Sequence, residues 1–363
     1  MKSRYLFAVA FLSVVLLVPA INLIIHWPYE NARKIFSKTF LFSMDFIYSQ
    51  SLVKWLYQRG ISANPDQVIV GKEQWLFLGD QYNSVLSEAR GSAKLKAGLY
   101  KNMAEARSQW DLRVKSRGGR GLYVVVVPNK HTVYADKLPD WARRGSKPNN
   151  TDLFFAEQGN AATLLDLRGP LVVARSKFSE DFYYKTDTHW NSLGAWIGYV
   201  HLAQHIGRQH PYIGWLDAGQ IVIRNAVARK GGDLSNFLRL ADLLEDKEIA
   251  VELKKGVKTT QKDYLLKGSA KGRGEAHANG LTLTHTEGAL NDLKVLWLDD
   301  SFGAAMAPYM MATFSSLIQH PWGAVLKDPE WFDRILSEFK PDLVIITVAE
   351  RHARNVPFAN LPP

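Results

Sequence analysis

The feature that most constrains the fold is an uninterrupted apolar run, LYVVVV, at residues 122–127. Glycine-rich residues 118–121 precede it and Pro128 follows it. A continuous β-branched run between Gly and Pro is typical of a strand buried on both faces of a sheet, because a half-exposed strand would alternate apolar and polar residues. Similar runs recur at residues 163–167, 295–298 and 343–348.

Helical patterns separate these runs. They lie at residues 92–116, 193–208, 302–318 and 329–339. Buried strands that alternate with helices predict an α/β fold, in which a mostly parallel sheet carries helices on both faces. In such sheets the functional site lies beyond the carboxyl ends of the strands. Residues 129–131, 299–301 and 350–352 follow three of the runs, so we expect the chemistry there.

The N-terminus predicts export. Lys2 and Arg4 precede an apolar run at residues 5–25, which is long enough for the about 20 residues that a membrane-spanning helix needs. Because the positive residues stay in the cytoplasm, the rest of the chain is expected on the other side of the membrane. We predict a membrane-anchor helix at residues 1–26; the alternative is a signal peptide cleaved near residues 18–20.

Composition narrows the chemistry. The chain has 363 residues and no cysteine, which excludes disulfides, thiolate zinc ligands and a cysteine nucleophile. Its net charge of +10 is concentrated in residues 91–150, with thirteen Lys or Arg against four acidic residues. Such a basic face can serve nucleic acid, anionic lipid or an acidic polymer, or be an ordinary solvated helix face. Because the chain is predicted to be exported, nucleic acid is not the expected partner of this basic face.

The domain organisation is predicted to be simple. Residues 27–66 read as a helical connector, and residues 67–363 as one domain. Within that domain, residues 245–285 are rich in Lys and Gly and poor in large apolar side chains. They are expected to form a long loop or a hairpin insertion.

Asp187 and His189 are one residue apart in the stretch YYKTDTHWNS. On an extended segment both side chains point to the same side, so the carboxylate can orient the imidazole as in nucleophilic enzymes. The alternative is that Asp187 or Thr188 caps the helix that follows. A metal site would need a second ligand pair at metal-ligand spacing, and the sequence offers none. No metal and no cofactor are therefore expected.

Ser301 supplies a nucleophile for this pair. It follows the third buried run through Asp299 and Asp300 and precedes small residues that can begin a helix. A Ser at a sharp strand-to-helix turn is exposed, with backbone N–H groups nearby for an oxyanion; the alternative is a plain helix N-cap. Taken together, Ser301, His189 and Asp187 are predicted to form a Ser–His–Asp triad.

The same residues carry a family resemblance. DTHWN at residues 187–191, followed by DSF at residues 300–302, resembles the alginate O-acetyltransferases of the AlgJ/AlgX type, whose catalytic domain is similar to SGNH hydrolases. GKEQWLF at residues 71–77 and the segment from 125 to 139 resemble two further segments of that family. Asp299 departs from the pattern, because many SGNH-type members have Gly there.

The resemblance implies an SGNH-hydrolase-like fold and a periplasmic enzyme anchored to the inner membrane. It also implies a ping-pong acetyl transfer in which Ser301 takes the acetyl group, His189 is the base and Asp187 orients it. The acceptor would be a hydroxyl of an exported, alginate-like polysaccharide. The acetyl group would arrive through a membrane-bound acyltransferase.

Alternatives remain at the level of sequence. The same triad could serve a carbohydrate O-acetyl esterase, or the chain could be a non-catalytic, polysaccharide-binding scaffold subunit of a secretion complex. Tyr184 and Trp190 could stack on sugar rings or pack in the core. Lys130, Tyr309 and Arg351 are substrate-binding candidates because they lie near strand ends or on the helix after Ser301.

Overall fold

The computed structural model describes Ser13 and residues 44–363, apart from residues 97, 99, 146–147, 160–161 and 268–280. The chain divides into two compact units, Met1–Ala63 and Asn64–Pro363. The predicted anchor, residues 1–26, lies outside the described residues except for Ser13. None of the helices in the described part has the length and apolar character needed to cross a membrane.

Strands and helices alternate through the second unit. Within the described residues the strands are β1 (Val68–Val70), β2 (Leu76–Leu78), β3 (Gly121–Val127), β4 (Leu164–Asp166), β5 (Ile221–Ile223), β6 (Val227–Lys230), β7 (Glu245–Glu248), β8 (Val251–Leu253), β9 (Lys258–Tyr264), β10 (Leu281–Glu287), β11 (Asn291–Asp299), β12 (Phe314–Pro321) and β13 (Leu343–Ala349). The α-helices there are α1 (Met44–Tyr57, in the first unit), α2 (Val85–Arg90), α3 (Lys101–Ser116), α4 (Lys130–Val133), α5 (Asn150–Gln158), α6 (Arg168–Arg175), α7 (Ser192–Gly207), α8 (Asp233–Phe237), α9 (Gly303–Thr313), α10 (Trp322–Leu326) and α11 (Pro329–Phe339).

Seven strands form the central sheet in the order β4-β3-β13-β11-β12-β10-β9. The five from β4 to β12 are parallel to their neighbours, while β10 and β9 pair antiparallel at one edge. The prediction of a mostly parallel sheet is therefore confirmed. Because β3, β11 and β13 run the same way, their carboxyl ends meet at one edge, where α/β proteins hold their sites.

The strands β3 and β13 at the centre of the sheet are buried on both faces. One core contains Tyr123 and Val125 of β3 together with α7 and α9, and the other contains Leu122 and Val124 together with α3 and α11. Successive side chains of a strand point to opposite faces, so an apolar run such as LYVVVV supplies both cores at once. Helices thus cover both faces, as predicted.

Two helix predictions were wrong at their ends. The pattern at 92–116 becomes a helix only from Lys101, because Gly91 ends α2 in the left-handed region and Gly98 has φ +82°. The pattern at 302–318 ends at Thr313, and Phe314 begins β12, which inserts between β11 and β10. The apolar residues Phe314, Leu317 and Ile318 recur at i, i+3 and i+4, so their periodicity indicates a helix where the structure has a buried strand.

Most of the described residues of the segment 245–285 lie in strands. β7 and β8 pair antiparallel with β6 and β5, and β9 with β10 forms the hairpin that extends the central sheet. In this edge hairpin, β9 exposes nearly all of its side chains to solvent. Exposed polar strands of this kind explain why the segment lacks large apolar residues.

Candidate active site

Ser301 is exposed at the turn between β11 and α9. Asp300 holds this turn in place: its Oδ1 accepts a hydrogen bond from the Phe302 N–H at 3.1 Å, and its Oδ2 accepts one from the Ala349 N–H at 2.8 Å. Ala349 ends β13, so the serine turn is fastened to the neighbouring strand. The N-cap of α9 is Phe302, so Ser301 does not cap this helix.

Asp299, the departure from the family pattern, is buried under this turn. Its Oδ2 accepts a hydrogen bond from Gln319 Nε2 at 2.7 Å, and its carboxylate packs against Gly303. A Cβ at Gly303 would lie 2.6 Å from Asp299 Cγ, so only glycine fits there. Burial raises the pKa of Asp299 to about 7; the Gln319 hydrogen bond works against this and the charge of Asp300 adds to it.

We expect Asp299→Asn to stabilise the fold at alkaline pH. A carboxyl whose folded pKa exceeds its unfolded pKa loses stability as the pH rises between the two values, from about 4 to about 7, and Asn cannot ionise. The stabilisation relative to wild type should therefore grow by about 3 kcal/mol between pH 5 and pH 8. Urea unfolding at both pH values measures it. The exposed Asp263→Asn is the control, and a pH-independent difference would contradict the prediction.

The imidazole of His189 links Ser301 to Asp187. His189 Nε2 lies 2.8 Å from Ser301 Oγ, and His189 Nδ1 lies 2.7 Å from Asp187 Oδ1. An ionised carboxylate only accepts hydrogen bonds, so Nδ1 carries the proton and Nε2 is free to accept the Ser301 hydroxyl proton. The three predicted residues thus form one chain of contacts, from Ser301 through His189 to Asp187, which is the arrangement that a Ser–His–Asp triad requires. The helix that follows is capped by Asn191, so the capping alternative for Asp187 and Thr188 is wrong.

Asp187 is held as an anion. Burial alone would raise the pKa of Asp187, but the hydrogen bonds that it accepts from His189, and the positive charge of that imidazole once it is protonated, bring the pKa well below its ordinary range. Its second oxygen, Oδ2, accepts from the Asp233 N–H at 3.4 Å and lies 3.8 Å from Arg229 Nη2. The Asp187 side chain therefore has partners on both oxygens, which fixes its orientation.

One buried cation holds the carbonyl groups of the loop that carries Asp187 and His189. Lys130 Nζ donates to the backbone oxygens of Tyr184, Lys185 and Asp187 at 3.0, 3.2 and 2.6 Å. Burial lowers the pKa of Lys130 to about 8. Lys130 begins α4, three residues after the end of β3, so it ties the loop to the carboxyl end of a central strand.

Two carboxylates hold the N–H groups of the same loop. Asp246 accepts from the Lys185 and Thr186 N–H groups at 3.0 and 2.6 Å. Asp233 accepts from the Thr188 N–H at 2.7 Å and from its hydroxyl. A loop whose carbonyls and amides are both bound by charged groups keeps His189 at hydrogen-bond distance from Ser301.

Gly232 leaves the space that the Asp187 carboxylate occupies. A Cβ at residue 232 would lie 2.6 Å from Asp187 Cγ and overlap its carboxylate. We expect Gly232→Ala to displace Asp187 and to lower kcat/KM for acetyl-ester turnover about 10²-fold, the usual effect of a misplacement near 1 Å. Gly256→Ala, where a Cβ meets open space, is the matched control. Unchanged kcat/KM in the folded Gly232 variant would contradict this account.

Comparison with known proteins places the chain in a family. A family model described as an SGNH hydrolase-like domain of the acetyltransferase AlgX matches residues 68–272, more than half of the chain. The chain belongs to this family. The matched region includes Asp187 and His189 and ends before Ser301. The contact between Ser301 and His189 is therefore an observation from the structure and not from the family match.

Named relatives of this AlgX-type domain are AlgJ proteins. The chain is 28% identical over 183 residues to the probable alginate O-acetylase AlgJ of Pseudomonas putida. This alignment covers 49% of the chain and 44% of the relative. The chain is also 28% identical over 189 residues to the probable alginate O-acetylase AlgJ of Pseudomonas aeruginosa, covering 49% and 43%. The matched segment therefore spans less than half of each relative's length.

Solved structures share the fold. The O-acetyltransferase domain of Pseudomonas putida AlgJ has a TM-score of 0.50 and 20% identity, covering 79% of this chain and 92% of that one. Bacillus cereus PatB1 with a sulfonyl adduct has a TM-score of 0.57 and 17% identity, covering 80% and 97%. A DHHW family protein of Eubacterium siraeum has a TM-score of 0.52 and 14% identity, covering 84% and 98%. These likenesses show that the fold is shared, and the family model describes this fold as SGNH hydrolase-like.

Three predicted substrate-binding residues of the domain lie in its interior, so these predictions were wrong. Trp190 is 1% exposed and donates from Nε1 to the Phe302 carbonyl. Tyr309 is 1% exposed and donates to the Ser192 and Val251 carbonyls. Lys130 is 3% exposed and holds the loop described above. Side chains without accessible surface cannot contact a sugar.

The other two predicted substrate residues are partly exposed. Tyr184 donates its hydroxyl to Glu248 at 2.6 Å, and the Arg229 guanidinium lies 4.0 Å from its ring centroid. Because the Arg229 guanidinium covers that face of the Tyr184 ring, a sugar cannot stack on it. Arg351 lies 5.4 Å from the ring centroid of Phe302, next to Ser301, and donates to Asn129 Oδ1 at 3.2 Å.

Asp187, His189 and Asp233 offer ligand atoms within 4.8 Å of one another, a spacing that could also hold a metal ion. Sequence reasoning missed this grouping because Asp233 is distant in the chain. Hydrogen bonds account for the grouping of these three side chains without a metal ion, because Asp187 binds His189 and Asp233 binds Thr188. Asp233 has a raised pKa, caused first by burial and then by the charge of Asp187.

Sequence reasoning also missed Asp246, Arg229 and Gly232. Their roles depend on contacts between distant segments, and single acidic or basic residues in a polar stretch carry no local signal. The pair Gly231-Gly232 before Asp233 was the one available sign, because adjacent glycines mark a close approach of backbone to another group.

Proposed function

We propose that this protein is an O-acetyltransferase that carries an acetyl group on Ser301 and delivers it to hydroxyl groups of an exported polysaccharide. The observation that carries the proposal is the chain of contacts from Ser301 Oγ to His189 Nε2 at 2.8 Å and from His189 Nδ1 to Asp187 at 2.7 Å. Membership of the AlgX-type family and the names of the AlgJ relatives support it.

The first step forms an acetyl-enzyme. His189 Nε2 removes the Ser301 hydroxyl proton as Oγ attacks the carbonyl carbon of an acetyl donor, and Asp187 stabilises the imidazolium. Among the described residues no acceptor is found for the Ser301 N–H, so it is free to donate to the developing oxyanion. The tetrahedral intermediate then expels the donor's leaving group, which takes the proton from His189.

The second step reverses the roles. A sugar hydroxyl loses its proton to His189 Nε2 and attacks the acetyl carbon of acetyl-Ser301. When the tetrahedral intermediate collapses, the Ser301 oxygen leaves and regains the proton, and the sugar carries the new ester. Because Ser301 is exposed and the His189 side chain retains 27% of its surface, a polymer can reach the bond that breaks.

The cellular location of the enzyme and its acetyl-supplying partner form part of the proposal. The apolar run at residues 5–25 after Lys2 and Arg4 supports anchoring in the inner membrane, with the catalytic unit in the periplasm. An anchored enzyme can receive acetyl groups from a membrane-bound acyltransferase that exports them. A β-lactamase fused after Pro363 would confer ampicillin resistance if the catalytic unit is exported, and a sensitive strain would contradict this location.

The test combines protein mass and acceptor mass. The full chain, purified in detergent, is mixed with an activated acetyl ester, quenched in acid and mapped by mass spectrometry; we expect one acetyl group on Ser301. Oligosaccharide acceptors, both acidic and neutral, should then gain acetyl groups. Free acetate as the sole product would establish an esterase, and no acetyl-enzyme and no acetate would favour the non-catalytic scaffold.

A further inference from the structure

Two consecutive aspartates fasten the end of β11 to the strands on either side of it. β11 lies between β13 and β12 in the central sheet. Asp300 reaches one neighbour, since its Oδ2 accepts from the Ala349 N–H at the end of β13 at 2.8 Å. Asp299 reaches the other, since its Oδ2 accepts from Gln319 Nε2 of β12 at 2.7 Å. The turn that carries Ser301 is therefore tied to the sheet on both sides.

The Asp299 side chain also fills the space between β11 and the first turn of α9. It is 6% exposed, and a Cβ at Gly303, the first residue of α9, would lie 1.7 Å from its Oδ2. That distance is far below van der Waals contact, so the carboxyl group occupies the place where any other residue would carry a side chain. A displacement of this carboxyl group is therefore transmitted to the start of α9 and to the serine turn before it.

The space that holds Asp299 suits an uncharged carboxyl group. In the described part of the chain no Lys, Arg or His forms an ion pair with Asp299, and the side chain that donates to it is the uncharged amide of Gln319. An ionised carboxylate that is buried without a cation loses its hydration and regains little in return. Burial for this reason raises the pKa of Asp299 to about 7. The carboxyl group is thus uncharged in mildly acidic solution and ionises around neutral pH.

The neighbouring strand residues do not compensate for this ionisation. Asp300 adds a negative charge that opposes it. On β12, His320 lies on the opposite face of the sheet from Gln319, because successive side chains of a strand alternate, and its ring packs against a tryptophan of α11. Proline ends β12, so this strand offers Asp299 no charge.

The helix and the turn offer no compensation either. Tyr309 is the titratable residue of α9, and its hydroxyl donates to two backbone carbonyls. His189 and Arg351 contact the ring of Phe302, and within the described residues neither of them pairs with Asp299. An ionised Asp299 therefore has to draw in water or turn outward, and both displace the serine turn.

We propose that Asp299 is a positioning residue that holds the serine turn in its reactive geometry while it is uncharged and releases the turn when it ionises. This inference rests on the proposed function, because the reaction that it regulates is the acetylation of Ser301. Asp299 acts through the turn, since its close contacts are with Gln319 and Gly303. The Gly that many SGNH-type members have at this position has no group to ionise. Acetyl transfer is consequently expected to fall as the surroundings of the enzyme become alkaline.

The rate of acetyl-Ser301 formation tests this proposal. Wild type and Asp299→Asn are mixed with p-nitrophenyl acetate at pH 6, 7 and 8, quenched in acid and analysed by mass spectrometry. Asn accepts from Gln319 as Asp does and does not ionise. We expect the two rates to agree within about twofold at pH 6 and the Asn variant to be about tenfold faster at pH 8, because one ionisation removes about a factor of ten per pH unit above its pKa. The ratio of the rates cancels the pH dependence of every group that both proteins share, Lys130 among them.

Two further variants separate positioning from a general effect on the strand. Asp292→Asn is the matched control, because Asp292 also accepts from a β12 side chain, Ser315 Oγ at 2.8 Å, but lies near the other end of β11. Its rate should equal that of wild type at each pH. Asp299→Gly loses the link to Gln319, so its rate should be about tenfold below that of Asp299→Asn at every pH. Gln319→Met removes the same hydrogen bond and replaces the Gly variant if that one does not fold.

Two results would overturn the role of Asp299. A ratio of the Asn variant to wild type that stays constant from pH 6 to pH 8 would remove the dependence on ionisation, and equal rates for Asp299→Gly and Asp299→Asn would remove the positioning.

Failure of the proposed function has a different signature, because it appears as an absence of acetyl-Ser301 in wild type at all three pH values. Labelling of Ser301 by phenylmethylsulfonyl fluoride at the same pH values then measures the reactivity of the serine turn without acetyl transfer. The expected rise of the ratio in that labelling would keep the role of Asp299 and refute the transferase. A constant ratio would refute both.

Discussion

Replacing Ser301 by alanine is expected to lower kcat for acetyl-ester turnover about 10⁴-fold or more. The Oγ atom that lies 2.8 Å from His189 Nε2 is the nucleophile of the proposed reaction, and no other hydroxyl is placed on that nitrogen in the described residues. Loss of one member of a triad removes nearly all of its effect, because the members act as a unit. Release of p-nitrophenol from p-nitrophenyl acetate measures kcat.

Stability separates a chemical effect from a folding defect. Ser301 is exposed, so its replacement should change the free energy of unfolding by no more than about 0.5 kcal/mol. Ser337→Ala, an exposed serine of α11, serves as the control and should keep wild-type turnover. A Ser301 variant with turnover within tenfold of wild type would remove this serine from the mechanism.

Asp187→Asn is expected to lower kcat by about 10⁴-fold while leaving the protein folded. Its amide can donate to His189 Nδ1, which would move the imidazole proton to Nε2 and prevent that nitrogen from accepting the Ser301 proton. The variant also loses the anion that stabilises the imidazolium and faces Arg229 at 3.8 Å. Steady-state kinetics with the same ester measures the effect, with the exposed Asp263→Asn as the control.

The double variant gives a sharper result. If Asp187 acts only through His189 and Ser301, Asp187→Asn should have no further effect in the Ser301→Ala background, because the base then has no nucleophile to activate. Additive losses would mean that Asp187 stabilises the reaction by another route, such as direct contact with the acetyl donor.

Local sequence predicts the parts of this fold that depend on local rules. The strand at residues 122–127 and the helix at 329–339 are correct to within one residue, since a β-branched run between Gly and Pro and an apolar stripe after Pro329 each favour one structure. Asp187 and His189 could be selected because side chains two apart on an extended segment point to the same side, and Ser301 because it follows the end of a buried strand. No sequence rule gives the distances between these three side chains.

The errors have one physical origin, which is contact between distant segments. Trp190 is a candidate for sugar stacking and Tyr309 for substrate binding until packing buries both, and Lys130 looks like a surface cation until three backbone oxygens surround it. Phe314–Pro321 became a strand because β11 and β10 pair with it on either side. Tertiary partners decide such cases, and a single sequence does not name them.

The place of β13 in the sheet has a consequence for biosynthesis. This strand comes last among the described strands, yet it lies between β3 and β11, and its Ala349 N–H holds the turn of Ser301. A ribosome must therefore release every residue up to the end of β13 before the centre of the sheet can close. If Ser301 is the nucleophile as proposed, a nascent chain that still lacks β13 is expected to be inactive, because nothing yet holds the turn of Ser301.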